Sequence, residues 1–321
     1  MRSYEFVQVD VFTDRIFGGN PLAVFPDAMG LSDGEMQAIA QEMNLAETTF
    51  ILPPTRADCV ARVRIFTPGR ELPFAGHPTL GTAFVLAQRG LLPADGTEGS
   101  AALEEGVGPV PVRLEGDPAA PSFLWMRTPP ATLGPPREDR GSVAAALGLE
   151  ETDLLAGAPI QGGATGTPFL LVPLRDRSTV DRAVVNPVRL ARISAESTAV
   201  GVFIFALDGP NTEAGTPTKR VYARMFAPEA GIVEDPATGS ATSPLAAYLV
   251  RHGLVLAEDE ARIVSEQGTK MGRQSFLHVR VKRLGAEVEE IEVGGGVVPV
   301  LEGVLRLPDS ATTPAPRVGE E

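Results

Sequence analysis

The chain contains one unit twice. Residues 64–90 read RIFTPGRELPFAGHPTLGTAFVLAQRG, and residues 224–253 read RMFAPEAGIVEDPATGSATSPLAAYLVRHG. Arg64, Phe66 and Pro68 match Arg224, Phe226 and Pro228 at an offset of 160; Pro78, Gly81 and Ala83 match Pro236, Gly239 and Ala241 at 158. Each copy runs from a strand through an irregular loop to His/Asp-Pro-x-x-Gly-Thr/Ser-Ala, then into a helical pattern ending at Gly90 or Gly253. A repeat of this kind restricts the fold to two similar halves built from one supersecondary plan. The plain alternative is two strand–helix junctions that look alike and carry no chemistry.

Two such halves facing each other would aim two helix N-termini at one small space. Unpaired backbone N–H groups and the positive end of each helix dipole attract a carboxylate there. The chain needs such a device if it binds an acid. Its 28 Lys+Arg against 41 Asp+Glu leave a net charge of −13, which repels nucleic acid and anionic membrane surfaces. At 321 residues it is long enough for about two domains. Cys59 is the single cysteine, so no internal disulfide or thiolate metal cluster can form. Cysteine usage and an N-terminus without the apolar core of a signal peptide (Met1 to Glu5) make a cytoplasmic location the expectation, and no apolar run reaches the length of a membrane span.

The patterning predicts an α/β protein. Phe6 to Val11 and Leu22 to Phe25 read as a hairpin around Phe17-Gly18-Gly19-Asn20-Pro21. Ser32 with Glu35 makes a capping box for a helix carrying Met36, Ile39, Ala40 and Met43 on one face, closed by Asn44. Strands follow at 46–52 and 62–66, and a helix is expected from Thr82 to Arg89. The Pro-rich run 127–141 reads as a boundary or long surface connection. Helical segments are expected from Ser142 and from Thr152, strands at 168–174, 202–206 and 221–226, and short strands from 262 to 306. The expected domains are 1–128 and 129–307, with the last strand a candidate to rejoin the first, and a disordered tail over 308–321.

Three residues carry the candidate chemistry. His77 and Asp235 stand before the shared proline of each repeat, an imidazole and a carboxylate suited to acid/base work. Glu47 lies between Leu45 and Phe50-Ile51-Leu52. Desolvated there, its pKa would rise to suit proton transfer near neutral pH; as a strand-end residue it would simply point to water. The glycine-rich run 162–167 precedes a strand rather than opening a helix, so it is not a dinucleotide loop. His252 reads as a cation at a helix C-terminus, and His278 as a surface strand residue. The histidines lack metal-ligand spacing, so no metal site is expected. A racemase using two opposed thiols is excluded by the lone Cys59.

The runs VDVFTDRIFGGNPLAVF (9–25), NLAETTF (44–50), FTPGRELPFAGHPTLGTA (66–83), EDPATGSA (234–241) and EQGTKMGRQS (266–275) together resemble the PhzF family, isomerase-like proteins of the diaminopimelate-epimerase superfamily. The resemblance spans about residues 4–306. It implies two pseudo-symmetric domains, each a curved, barrel-like sheet around a central helix, with the site in the cleft between them. It implies Glu47 as catalytic acid/base, His77 and Asp235 as assistants, and Gly76, Gly239 and Ser240 around a small anionic substrate. It further implies a homodimer that works without metal or organic cofactor. In the name-giving members the reaction isomerises trans-2,3-dihydro-3-hydroxyanthranilate. This chain departs from the family pattern at Thr242-Ser243, where an altered substrate contact is expected. Two other readings share the scaffold: a non-catalytic small-acid binding protein, and an epimerase using carboxylate and imidazole in place of thiols.

Overall fold

In the computed structural model, which describes residues 1–92, 101–213, 216–255, 260–284 and 287–309, the repeated units become two copies of one arrangement. The first comprises β1 (Arg2–Val11), β2 (Asn20–Phe25), α1 (Asp33–Met43), β3 (Glu47–Leu52), β4 (Ala61–Phe66), β5 (Glu71–Leu72), α2 (Gly76–Gln88), β6 (Ala101–Glu105), β7 (Gly108–Asp117) and β8 (Ala120–Arg127). Then come β9 (Thr132–Arg137), α3 (Arg140–Ala146), β10 (Ile160–Thr165), β11 (Thr167–Pro173), α4 (Arg177–Arg182), α5 (Pro187–Ser197), β12 (Gly201–Glu213), β13 (Thr216–Ala227), β14 (Ile232–Asp235), α6 (Gly239–Arg251), β15 (Glu260–Gln267), β16 (Ser275–Leu284), β17 (Glu287–Gly295) and β18 (Val297–Leu307). Residues 310–321 of the expected tail lie outside the described residues.

Strand pairing gives one continuous order, β18-β1-β2-β3-β4-β6-β7-β8-β17-β16-β15-β13-β12-β11-β10-β9, with β5 on β4 and β14 on β13. The same parallel steps recur: β2–β3 and β4–β6 in one half, β11–β12 and β13–β15 in the other. The halves also exchange a strand. β9 follows β8 yet pairs with β10, and β18 follows β17 yet runs antiparallel along the whole of β1. The Pro-rich run is therefore not only a connection. Its middle is an edge strand, where a proline's missing N–H costs no ladder bond.

Each half wraps its sheet around one helix. Every residue of α2 from Gly76 to Ala87 is buried, and every residue of α6 from Gly239 to Val250. Helices apolar on all sides have this central location. Val7, Val9 and Val11 of β1 pack on the same core as Leu80, Phe84, Leu245 and Leu249. The amphipathic helices stay outside. α1 starts at the Ser32/Glu35 capping box, ends on left-handed Asn44, and lays Met36, Ile39 and Ala40 on the far face of the first sheet. α3, α4 and α5 cover the second sheet; α4 and α5 fall in a stretch where no helix was predicted. The segment after Thr152 is a single 3-10 turn, Glu151–Asp153, that goes no further.

The structure moves the repeat register. α2 begins at Gly76, six residues before the predicted start, because its third residue is Pro78, and a first-turn proline loses no intrahelical bond. α6 begins at Gly239, so the helices correspond at an offset of 163. Thr79 Oγ1 donates to the Ala75 carbonyl, and Thr242 Oγ1 donates to Thr238 in the same way. Arg64 grips Glu71 bidentately just as Arg224 grips Glu234. His77 therefore corresponds to Ser240, and Asp235 to Leu72; His77 and Asp235 are not symmetry mates. The Pro-x-x-Gly likeness at 158 joins glycines with different tasks. Gly81 lets α2 lie on β1 and β2, where a Cβ would come 2.6 Å from Leu22 Cδ2. Gly239 lets the two helix ends meet.

That meeting is close. A Cβ on Gly76 would sit 2.8 Å from Gly239 Cα and 2.9 Å from Met126 Cε. Gly76→Ala is expected to lower the unfolding free energy by about 1–3 kcal/mol through overpacking. Gly34→Ala in α1, where a Cβ meets nothing within 4 Å, should raise it by about 0.5–1 kcal/mol. Urea denaturation of the two variants measures both.

Candidate active site

A cavity of about 390 Å³ opens at the junction of α2 and α6. Glu47, Gly76, His77, Asp235, Gly239 and Ser240 all line it. Apolar side chains, Phe74, Phe169 and Met225 among them, make much of the remaining wall. Neither helix has a side-chain N-cap, so the first turns that line the cavity keep their N–H groups for a ligand.

Glu47 is the first residue of β3, held by the parallel ladder opposite Leu22. Its side chain is only 12% exposed. Burial, with the negative charge of Asp235 adding to it, pushes the carboxyl up to about 8. Of the two expectations for this residue, the structure shows the inward one. His77, second in α2, is 5% exposed at its side chain, and burial brings the imidazole down to about 3. Nε2 of His77 stands 3.3 Å from Oε2 of Glu47. The two atoms are off hydrogen-bond geometry, and neither has a partner among the described residues. Near neutral pH the carboxyl thus tends to keep its proton beside a neutral ring.

Asp235 closes β14 and is buried; burial raises its carboxyl to about 6, opposed by hydrogen bonds from Thr238 and Asn20. Asn20 Nδ2 donates to Asp235 Oδ1 at 2.8 Å and to the Ala237 carbonyl at 2.9 Å. Gln267 then fastens the loop, donating to the Asp235 carbonyl and to Thr238 Oγ1 while accepting from the Thr238 N–H. Asn20 and Gln267 were not singled out from the sequence, although both lie in the runs GGNP and EQGTK. Ser240 owes its fixed position to a proline. Pro244 cannot donate to the Ser240 carbonyl four residues back, and Thr165 Oγ1 supplies that hydrogen bond at 3.0 Å.

Several expectations need correction. Thr242 and Ser243 do not reach the cavity: Thr242 bonds back to Thr238, and Ser243 pairs with Thr128. His252 is not simply a helix-end charge facing water. Its ring packs on Tyr248, Nε2 meets Gln161, and burial lowers its pKa. His278 is half-buried, edge-on to Phe123. Among the described residues no group of three or more His, Cys, Asp or Glu could hold a metal ion, and no helix is long and apolar enough to cross a membrane.

A family model for phenazine biosynthesis-like proteins matches residues 9–303. The chain belongs to the PhzC-PhzF family. It is 36% identical over 303 residues to the trans-2,3-dihydro-3-hydroxyanthranilate isomerase of Pseudomonas aeruginosa, covering 94% of this chain and 98% of that one. A PhzF-family phenazine biosynthesis protein of Bacillus anthracis superposes with a TM-score of 0.83 at 28% identity, over 96% of this chain and 100% of the other. A hydroxyproline epimerase from Agrobacterium vitis shares the fold at a TM-score of 0.66 and 12% identity, over 97% and 94% of the two chains. PhzC-PhzF proteins thus share with this epimerase the paired-sheet frame described above.

The Glu47 carboxyl makes a pH prediction. Its pKa is raised on folding, so the folded state holds the proton longer than the unfolded chain does. Its contribution is intact below about pH 4.5 and is lost as pH rises to about 8. Glu47→Gln should therefore flatten the fall in melting temperature between those values, and the variant should be the more stable protein at pH 8 and above. Thermal melts across the pH range measure it.

Proposed function

We propose that this isomerase of the PhzF type moves a proton between two carbons of a small cyclic carboxylate, trans-2,3-dihydro-3-hydroxyanthranilate or a close analogue, with Glu47 as general acid/base. The observation that carries the reading is the Glu47–His77 pair, 3.3 Å apart in a cavity walled largely by apolar side chains, with the carboxyl held near 8. A group whose pKa lies near the working pH can both take a proton and give it back.

The substrate carboxylate lies against the uncapped first turns of α2 and α6, near Gly76, Gly239 and Ser240. Ionised Glu47 removes a proton from carbon. The electron pair left behind moves into the adjoining double bond, and a second carbon takes up a proton, either from Glu47 directly or through His77 or Asp235. One C–H bond is broken and one is made, so the product is an isomer and no other reagent is consumed. The helix-end N–H groups stabilise the charge that develops on the substrate. The apolar wall limits water, which keeps the abstracted proton from exchanging freely. In this reading the enzyme uses neither metal nor organic cofactor and works as a homodimer in the cytoplasm, as the family resemblance implies.

Glu47→Gln should reduce deuterium incorporation from heavy water into trans-2,3-dihydro-3-hydroxyanthranilate by about 10³-fold while binding changes little. Proton NMR follows the exchange and calorimetry the binding. Exchange that survives the substitution removes Glu47 from the reaction. Binding by the wild type with no exchange leaves a binding protein on this scaffold.

A further inference from the structure

A second buried carboxyl stands behind the first helix end. Glu105, the last residue of β6, is 6% exposed and does not line the cavity. Its Oε1 lies 2.6 Å from Thr79 Oγ1, and its Oε2 is buried without a partner among the described residues. Thr79 Oγ1 also lies 2.8 Å from the carbonyl of Ala75, the residue from which α2 starts. A hydroxyl has one proton to donate. If Glu105 were ionised, Thr79 would spend that proton on the carboxylate and face the Ala75 carbonyl with a lone pair. If Glu105 is the neutral acid, both contacts are satisfied: Glu105 donates to Thr79, and Thr79 donates to Ala75.

The other half of the molecule supports the neutral form. Arg62 of β4 pairs with Glu104, and the equivalent Tyr222 of β13 pairs with Glu266. The residues that follow, Glu105 and Gln267, therefore occupy the same place, at the end of the strand beside the central helix. Gln267 is neutral at every pH and fastens the start of α6 through Thr238. Of the two forms of glutamate, the protonated one is nearer to glutamine: it is neutral, has a similar shape and can donate a hydrogen bond.

We propose that Glu105 is a positioning residue which, as a neutral carboxylic acid, fixes the substrate-facing end of α2 through Thr79 and Ala75, as Gln267 fixes that of α6. The inference rests on the proposed function for the role of that helix end. Burial acts in the same direction, raising the carboxyl to about 8. The charged groups on the adjoining elements are engaged elsewhere: Glu104 holds Thr55, Glu71 pairs with Arg64, and His77 faces Glu47. Arg62 stands opposite Glu104, and β7 places Gly108 opposite Glu105. Ionisation of Glu105 breaks the chain and sets a negative charge behind a helix end that receives an anion, so substrate binding weakens.

Carbon-13 NMR of protein labelled at glutamate carboxyls, with the signal assigned by its loss in Glu105→Gln, reads the ionisation directly. A midpoint above neutrality is expected; one in the ordinary carboxylate range overturns the proposal. In turnover of trans-2,3-dihydro-3-hydroxyanthranilate, Glu105→Leu should raise KM about tenfold at neutral pH. The wild type should show a rise in KM toward alkaline pH, and Glu105→Gln should restore the neutral value and abolish that rise. If Glu105→Gln is as impaired as Glu105→Leu, the acid is not serving as a donor and the proposal fails. Amide shifts of Gly76 and His77, compared across pH between Glu47→Gln and the Glu47→Gln/Glu105→Gln double variant, give the same answer without turnover. The NMR results therefore stand even if Glu47 proves not to be the acid/base.

Discussion

Two helices touch end to end through glycine, and the site exists because of that contact. Gly76 and Gly239 have no side chains to hold α2 and α6 apart, so both uncapped first turns border one cavity. A protein with thirteen more negative than positive charges needs a local source of positive potential to receive an acid. Backbone amides at the two helix ends supply part of it, and Arg70 adds a basic side chain to the cavity wall.

The frame is symmetric and the chemistry is not. Glu47 and Gly201 hold equivalent ladder positions, one opposite Leu22 and the other opposite Phe169. His77 corresponds to Ser240, Asp235 to Leu72 and Glu105 to Gln267. The duplicated plan thus provides two helix ends of the same polarity, while each titratable group of the cavity occurs on one side only. Environment then separates the groups. Burial moves Glu47 up and His77 down, which places the proton on the carboxyl. Hydrogen bonds from Asn20 and Thr238 restrain the same effect at Asp235.

Much of this was legible in the chain, for physical reasons. The first hairpin, the capping box at Ser32 and the strands on either side of each repeat follow from local pattern. So does the pairing of Arg64 with Arg224. The start of α2 was misread because Pro78 looks like a stop until it is recognised as a first-turn residue. The register slipped by five residues because Gly81 and Gly239 are needed for different close approaches, and sequence shows the glycine without its neighbour. The direction of Glu47 could not be read at all. A strand's first residue faces core or water according to what covers it, and here His77 of α2 stands against it and the more distant Asp235 adds its charge. The helices after Leu174 went unread although the cues were there: Asp176 and Asn186 cap them, and Leu190 and Ile193 share the buried face of α5.

The exchanged strands have a consequence for biosynthesis. β1 leaves the ribosome before every other strand described, and the strand that lies along it, Val297–Leu307, leaves after all of them. Until then the sheet that β1 starts has a bare edge, and the contact that closes it reaches from Arg2 to Leu307. Such non-local closure is slow, and a nascent sheet with an open border is the state most prone to pairing with a neighbour. The sheet of the first half is therefore completed only by a strand encoded after the second.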